Sequence, residues 1–292
     1  MIDSFLRYVR YEKRLSGNTV IAYQKDLEQF SIFIQTTFHQ EDVAGADHGM
    51  VRSWIISLVD EGLNPASVNR KIACLRTFFK FLLREQVIKT NPMTKIRVLK
   101  TPKRLPAFVK ESDMNQVLDG RDFEDSFAGW RERLVLELFY GTGIRLSELT
   151  GLTEGSVDLK GRTIKVLGKR KKERVIPFSA HLVTILEGYL SMKRRSVSTD
   201  SDTLLVTDSG HPCYPMMIYR IVKNNLSTYT TAEKTSPHVL RHTYATHLLN
   251  KGAEINAVKD LLGHSSLAAT QVYTHNSMEK IKKAFDQAHP KA

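Results

Sequence analysis

The chain has 292 residues, 41 % of them hydrophobic, which supports one large or two modest folded domains and excludes a disordered segment. A formal net charge of +12 favours a polyanionic partner, nucleic acid first and an anionic membrane second. Two cysteines, Cys74 and Cys213, exclude a disulfide framework and a Cys-x-x-Cys metal knuckle, and they point to buried thiols in a reducing cytosol.

The N-terminal stretch from Met1 to Arg7 lacks an apolar signal core, so a soluble, intracellular protein is expected. Helices alone are predicted for the first hundred residues. The first candidate runs from Ile2 to Arg14. Ser16 caps a second, reaching about Gln35 with Val20, Tyr23, Leu27, Phe30 and Ile34 at helical spacing. A third spans His48 to Glu61 and stops at Gly62, a residue that accepts left-handed backbone. In the fourth, Asn64 is the cap, Pro65 the first helical residue, and Val68, Ile72, Leu75, Phe79 and Leu82 the apolar stripe.

On that fourth helix Arg76, Lys80 and Arg84 recur every four residues and share a face. From Arg70 to Lys110 there are twelve basic residues and one acid, Glu85; a solvated face normally mixes signs, so this one suits DNA. Residues 91–106 carry Pro92, Pro102 and Pro106 among Lys95, Arg97, Lys100, Lys103 and Arg104. That density of proline breaks helices and extends the chain, which predicts a basic linker that tracks phosphates between a helical domain over 1–90 and a second domain over 107–292.

Beyond 107 the pattern is mixed. A buried helix is predicted over Trp130–Tyr140, broken by Gly141-Thr142-Gly143, with a new helical turn over Arg145–Leu149. Thr163–Leu167 and Arg174–Phe178 read as a hairpin around a tight basic turn. Ser179 caps a helix to about Lys193, and Thr203–Val206 reads as a further strand. Helices follow near Tyr214–Ser227, Pro237–Asn250, Glu254–Leu262, Leu267–Tyr273 and Met278–Ala288.

Four segments carry the chemistry. In Thr142-Gly143-Ile144-Arg145-Leu146-Ser147-Glu148 the arginine and glutamate are three apart on a helix, either a carboxylate orienting a guanidinium or an ordinary surface ion pair. The turn Gly168-Lys169-Arg170-Lys171-Lys172-Glu173-Arg174 repels itself unless an anion is near, or is a solvated loop tip. In Ser236-Pro237-His238-Val239-Leu240-Arg241, Ser236 caps a helix whose N-terminus attracts anions. His238 and Arg241 then form a phosphate site, or a neutral core histidine with an arginine at the rim. Last come Gly263-His264 and, nine residues after His264, Tyr273, a core aromatic unless cations stabilise its oxyanion.

In this order and spacing, "TGIRLSEL", "GKRKKERVIP", "HVLRHTYATHLL" and "LGHSSLAATQVYTH" resemble the arginine boxes, hairpin lysine and nucleophile box of the tyrosine recombinases. The basic helical N-terminal domain resembles their core-binding domain. The compact length and the "HPKA" ending are similar to the Xer subgroup. The resemblance implies a mainly α protein with a small β-sheet, two domains clamping DNA. It implies Arg145 and Arg241 on the non-bridging oxygens of the scissile phosphate, Lys169 protonating the leaving 5′ oxygen, and His238 in acid–base work. It further implies His264 donating to the phosphate, Glu148 supporting Arg145, and Tyr273 as the nucleophile that forms a 3′-phosphotyrosyl bond. Arg170 stands where the family usually has a second glycine, so Lys171 and Lys172 compete with Lys169 for the leaving group; spacing from Gly168 selects Lys169. Arg70, Arg76, Lys80, Arg84, Lys100, Lys103, Arg104, Arg170 and Lys172 are the expected DNA contacts.

The resemblance also implies no metal and no cofactor, since several cations and donors around one phosphate stabilise its transition state and the phosphotyrosyl ester conserves the bond. The expected partners are duplex DNA carrying a recombination site, a homotetramer or a mixed tetramer with a related recombinase, and a septal DNA translocase, in the cytoplasm at the nucleoid. The helix from Met278 is expected to dock on a neighbouring protomer. Competing readings are a mobile-element integrase, a type IB topoisomerase, which the short N-terminal domain disfavours, and a DNA-binding protein without catalysis, which the intact residue set disfavours.

Overall fold

The computed structural model describes residues 1–102, 107–120, 122–168, 173–230, 235–263 and 287–288. The chain divides into two compact units, Met1–Arg104 and Leu105–Ala292.

The first unit is helical. Helix α1, Ile2–Arg7, runs on into a wider π-type turn over Tyr8–Glu12, so the predicted first helix is α-helical only in its first half. Helix α2 covers Gly17–Phe38, α3 His48–Asp60 and α4 Pro65–Arg84. The capping chemistry explains the starts: Ser16, Asp47 and Asn64 side chains accept from the backbone N–H groups of Thr19, Met50 and Ala66, satisfying donors that the first helical turn leaves unpaired. Helix α2 overruns its predicted end by three residues and closes at His39, a non-glycine residue in left-handed backbone. The predicted stripe of α4 is buried throughout and packs with Phe5, Phe30, Phe78 and Trp54. Each such side chain contributes about 1.5–3 kcal/mol on burial.

On the opposite face of α4, Arg76, Lys80 and Arg84 are exposed. The single-signed run is partly balanced in space, because Asp26 of α2 is buried and takes both Arg70 and Lys71. Arg84 pairs with Glu85 and Glu12 and lies 4.2 Å over the Tyr8 ring. The expected linker also differs from its reading. Asn91 caps a turn by accepting from Met93 N–H, Met93 and Ile96 enter the first core, and Asn69 clamps Leu99 through both its N–H and its carbonyl. Residues 91–99 are thus folded onto the helical unit, and proline there makes a turn rather than a spacer. Lys95, Arg97 and Lys100 remain exposed; Lys103 and Arg104 lie outside the described residues.

The second unit is built around α6, Phe127–Thr142, which packs against α5 (Glu111–Leu118), α8 (Ala180–Ser196), α9 (Pro215–Tyr229) and α10 (Pro237–Asn250). Its central turns are buried on every side, from Leu134 to Tyr140, as a helix enclosed by other helices requires. Helix α5 was not predicted: its Lys110 N-cap makes no side-chain bond and its sequence is mostly polar, yet it buries Met114, Val117 and Leu118. Helices α7 (Leu146–Leu149) and α11 (Ile255–Leu262) belong to the same unit.

The sheet is a three-stranded antiparallel meander of β1 (Val157–Asp158), β2 (Thr163–Leu167) and β3 (Glu173–Pro177). The predicted hairpin is therefore present. The predicted strand over Thr203–Val206 is instead a buried loop held by two isolated bridges, Thr203 to Thr153 and Val206 to Pro212. Cys74 lies in the first core and Cys213 in the second, both as free, buried thiols. No helix among the described residues is long and apolar enough to cross a membrane.

Candidate active site

Gly143 ends α6 with φ +59°, and a Cβ there would fall 2.5 Å from the Tyr244 ring of α10. Glycine therefore supplies both the left-handed turn and the close approach. The chain then reaches Arg145, the N-cap of the short helix α7. Glu148, three residues on, bends its carboxylate back to accept from the Arg145 backbone N–H at 2.8 Å and from Arg145 Nη1 at 2.8 Å. Its side chain is only 3 % exposed, so this is not a surface ion pair.

A third group completes the arrangement. Arg174, on the inward face of β3 beside Ile176, grips the same carboxylate with both prongs, Nη1 to Oε1 at 2.6 Å and Nη2 to Oε2 at 2.8 Å. Glu148 thus accepts four hydrogen bonds, two from each arginine. Burial alone would raise its pKa, but the Arg174 bonds and charge and the Arg145 bonds more than reverse this and hold it at about 2.

Arg241 lies one turn into α10 and is buried. Nη1 donates to the Gly143 carbonyl and Nη2 to the Leu262 carbonyl. A guanidinium has five N–H donors, so these two bonds leave three for a phosphate. Burial, then the charges of Arg145 and Arg174, lower the Arg241 pKa to about 10; it stays cationic at neutral pH.

The three arginines converge on one helix end. Helix α11 closes at Gly263 in left-handed backbone. Its last carbonyls are taken in succession: Leu261 accepts from Arg174 Nε at 3.2 Å, Leu262 from Arg241, and Gly263 from Arg145 Nη2 at 3.0 Å. The negative end of a helix dipole suits cations. Three guanidiniums and one carboxylate leave two uncompensated positive charges, the charge that a dianionic pentacovalent phosphate would neutralise.

His238 sits on the first turn of α10, three residues before Arg241, and is exposed. This reverses the reading of a core histidine with a rim arginine, because here the arginine is the buried partner. Pro237 fills the first helical position as expected, whereas the Ser236 hydroxyl makes no capping bond. The structure therefore brings together Arg145, Glu148 and Arg241, with His238 on the helix that carries Arg241. Lys169, Arg170, Lys171, Lys172, His264 and Tyr273 lie outside the described residues, as do the predicted helix over Leu267–Tyr273 and most of that from Met278. At the end of the latter, Ala288 is buried in the second core. Among the described residues one group could hold a metal ion, Asp119, Glu137 and His181; His181 Nε2 is already 3.2 Å from Glu137.

Comparison with known proteins decides the family. Residues 107–280 match the phage integrase family and residues 2–86 match the phage integrase N-terminal SAM-like domain. Tyrosine recombinase XerC of Bacillus subtilis is 35 % identical over 297 residues, covering 100 % of this chain and 96 % of the relative. The XerC of Chlorobaculum tepidum is 33 % identical over 317 residues, covering 100 % and 94 %. The chain belongs to the phage integrase family, as a site-specific tyrosine recombinase of the Xer type. In fold it is similar to the XerH site-specific recombinase bound to palindromic difH substrate (TM-score 0.70, 21 % identity, 97 % and 93 % covered). It is equally similar to the Tn1549 transposon integrase in complex with circular intermediate DNA (TM-score 0.70, 20 % identity, 95 % and 97 % covered).

For this recombinase, the residue that reading the sequence missed is Arg174. In the sequence it stands where the basic segment meets the second hairpin strand, a segment that reads as facing an anion or as a solvated loop tip. The signal was available: strand alternation puts Arg174 on the same side as Ile176, and a charge on an inward strand position needs a partner.

Proposed function

We propose that this recombinase cuts and rejoins DNA through Tyr273 and resolves chromosome or plasmid dimers. The observation that carries this reading is the cluster of Arg145, Arg174 and Arg241 with Glu148, of net charge two, gathered on the end of α11, ten residues before Tyr273 in the sequence. In the cleavage step the Tyr273 oxygen forms a bond to phosphorus and the bond from phosphorus to the 5′ oxygen breaks. The phenolic proton passes toward His238, and Lys169 protonates the departing 5′ oxygen, which leaves as a hydroxyl. Arg145, Arg241 and His264 stabilise the charge on the non-bridging oxygens. The reverse step, with the 5′ hydroxyl of a second strand as nucleophile, restores a phosphodiester, and two rounds pass through a Holliday junction. A tetramer on two duplexes is the acting unit, formed by this chain alone or with a related recombinase, with a septal translocase as a candidate activator.

The test is to recover and sequence DNA covalently attached to the protein in its host, then to rebuild that site as a nicked duplex. The wild-type chain should accumulate a protein–DNA adduct on it. Tyr273→Phe should abolish the adduct while leaving duplex binding intact. Adduct formation by Tyr273→Phe would exclude Tyr273 as the nucleophile. A recovered site confined to a mobile element, rather than a fixed chromosomal or plasmid locus, would replace dimer resolution by integration.

A further inference from the structure

We propose that Arg174 is a positioning residue for strand cleavage: by gripping Glu148 with both prongs and the Leu261 carbonyl with Nε, it locks the Arg145 guanidinium and the end of α11 in one fixed relation. The inference rests on the recombinase reading above and assigns a function to a residue outside the six expected to act at the scissile phosphate.

The division of labour follows from the bonds already made, since Arg174 commits Nε, Nη1 and Nη2 to Leu261 and Glu148. The Arg145 side chain is 33 % exposed and that of Arg174 only 6 %. Arg145 can meet a phosphate, whereas Arg174 acts through what it holds. Its contacts join three separate elements. It stands on β3, opposite Val166, and is the second described residue after the basic turn. Its fork fills the two acceptor positions on Glu148 that Arg145 does not use, and its Nε reaches the carbonyl next to those held by Arg241 and Arg145. Gly263 is fitted to it as well, since a Cβ there would lie 2.9 Å from Arg174 Cδ.

Stability alone is a poor reason for this side chain. The inward positions around it are Ile164, Val166 and Ile176, and a buried ion pair is often no more stabilising than apolar residues of the same volume. What the fork provides is orientation: a planar guanidinium on a planar carboxylate fixes the angle of both. With Arg174 removed, Glu148 keeps its burial but loses its strongest stabilising partner, so its carboxyl protonates more readily and releases Arg145 Nη1.

The experiment uses the full chain and the nicked duplex recovered above. For Arg174→Gln the rate of adduct formation should fall about 100-fold, the scale of a misplaced reacting group, while duplex affinity stays within a factor of about three, since Arg174 is not a surface cation. The decisive readout is the ratio of variant to wild-type rate against pH. It should decline as the pH is lowered, because Glu148 protonates at a higher pH in the variant than in wild type, and should be flat in Arg174→Gln/Glu148→Gln, which has no carboxylate to titrate. Arg174→Lys keeps the charge without the fork; it should recover part of the rate and show a flat ratio. A flat ratio for Arg174→Gln, or a wild-type rate for Arg174→Lys, would overturn the proposal. A denaturation cycle of wild type, Glu148→Gln, Arg174→Lys and the double variant separates the two readings. Strong non-additivity with no adduct from the wild-type chain would remove the cleavage reading and leave the Arg174–Glu148 lock; additive effects would remove the lock itself.

Discussion

At the scale of single residues, Glu148 carries the largest consequence. Its folded pKa of about 2 lies below the ordinary 4.5, so the stabilisation it contributes is complete above about pH 4.5 and is lost as the pH falls toward 2. That difference corresponds to on the order of 3 kcal/mol. Denaturant titrations of wild type and Glu148→Gln should therefore show a stability gap that narrows as the pH is lowered from 4.5. A gap independent of pH in that window would mean that Glu148 is not held as a carboxylate. At this scale the sequence was partly legible. The Arg145–Glu148 pair follows from helical spacing, because residues three apart share a face. The Glu148–Arg174 pair joins a helix to a strand 26 residues away, and local spacing holds no information on which distant charge will fill a buried acceptor. The same blindness applied to Asp26, whose pairing with Arg70 and Lys71 draws acid from a helix more than forty residues earlier in the sequence.

At the scale of elements, caps and apolar periods were the readable signals. Asn64-Pro65 starts α4 and Pro237 starts α10 where expected, because a capping side chain and a proline at the first position each have a local physical cause. Helix α5 escaped because it lacks a capping side chain and a proline at its start, and its apolar period is limited to Met114, Val117 and Leu118. The Thr203–Val206 segment escaped in the opposite sense: it is buried as a strand would be, but its partners are single bridges rather than a neighbouring strand. The turn between α6 and α7 is the element on which the site depends most. Gly143→Ala should cost about 2–4 kcal/mol, from left-handed backbone plus overpacking against Tyr244. Because the Gly143 carbonyl also holds Arg241, the same change should slow adduct formation in the fraction that remains folded. Thermal unfolding together with single-turnover cleavage checks both. A stable, fully active Gly143→Ala would show that the α6–α7 turn has other ways to close.

At the scale of the whole molecule, charge is the link to function. The basic face of α4 and the exposed Lys95, Arg97 and Lys100 belong to a chain of net charge +12, so duplex affinity should fall steeply with salt as counterions are released. Changing Lys100, Lys103 and Arg104 together to Ala should lower the slope of log affinity against log salt by about two to three. An unchanged slope would show that this segment does not meet phosphate. By contrast, Arg70 is committed to Asp26, and its replacement should disturb the first core before it disturbs salt dependence. The two-domain plan was legible because the composition changes near residue 107. The placement of residues 91–99 was not, because a proline-rich stretch reads alike whether it is a turn against a core or a free spacer.

The two thiols divide evenly between the two cores, Cys74 in one and Cys213 in the other. Burial drives both away from the thiolate form, Cys213 to about 11 and Cys74 further still, so an alkylating reagent finds neither while the chain is folded. Each becomes reactive only when its own half opens. Brief exposure to iodoacetamide at rising denaturant, followed by mass spectrometry of the two peptides, would then time the loss of each half separately, with no foreign probe introduced.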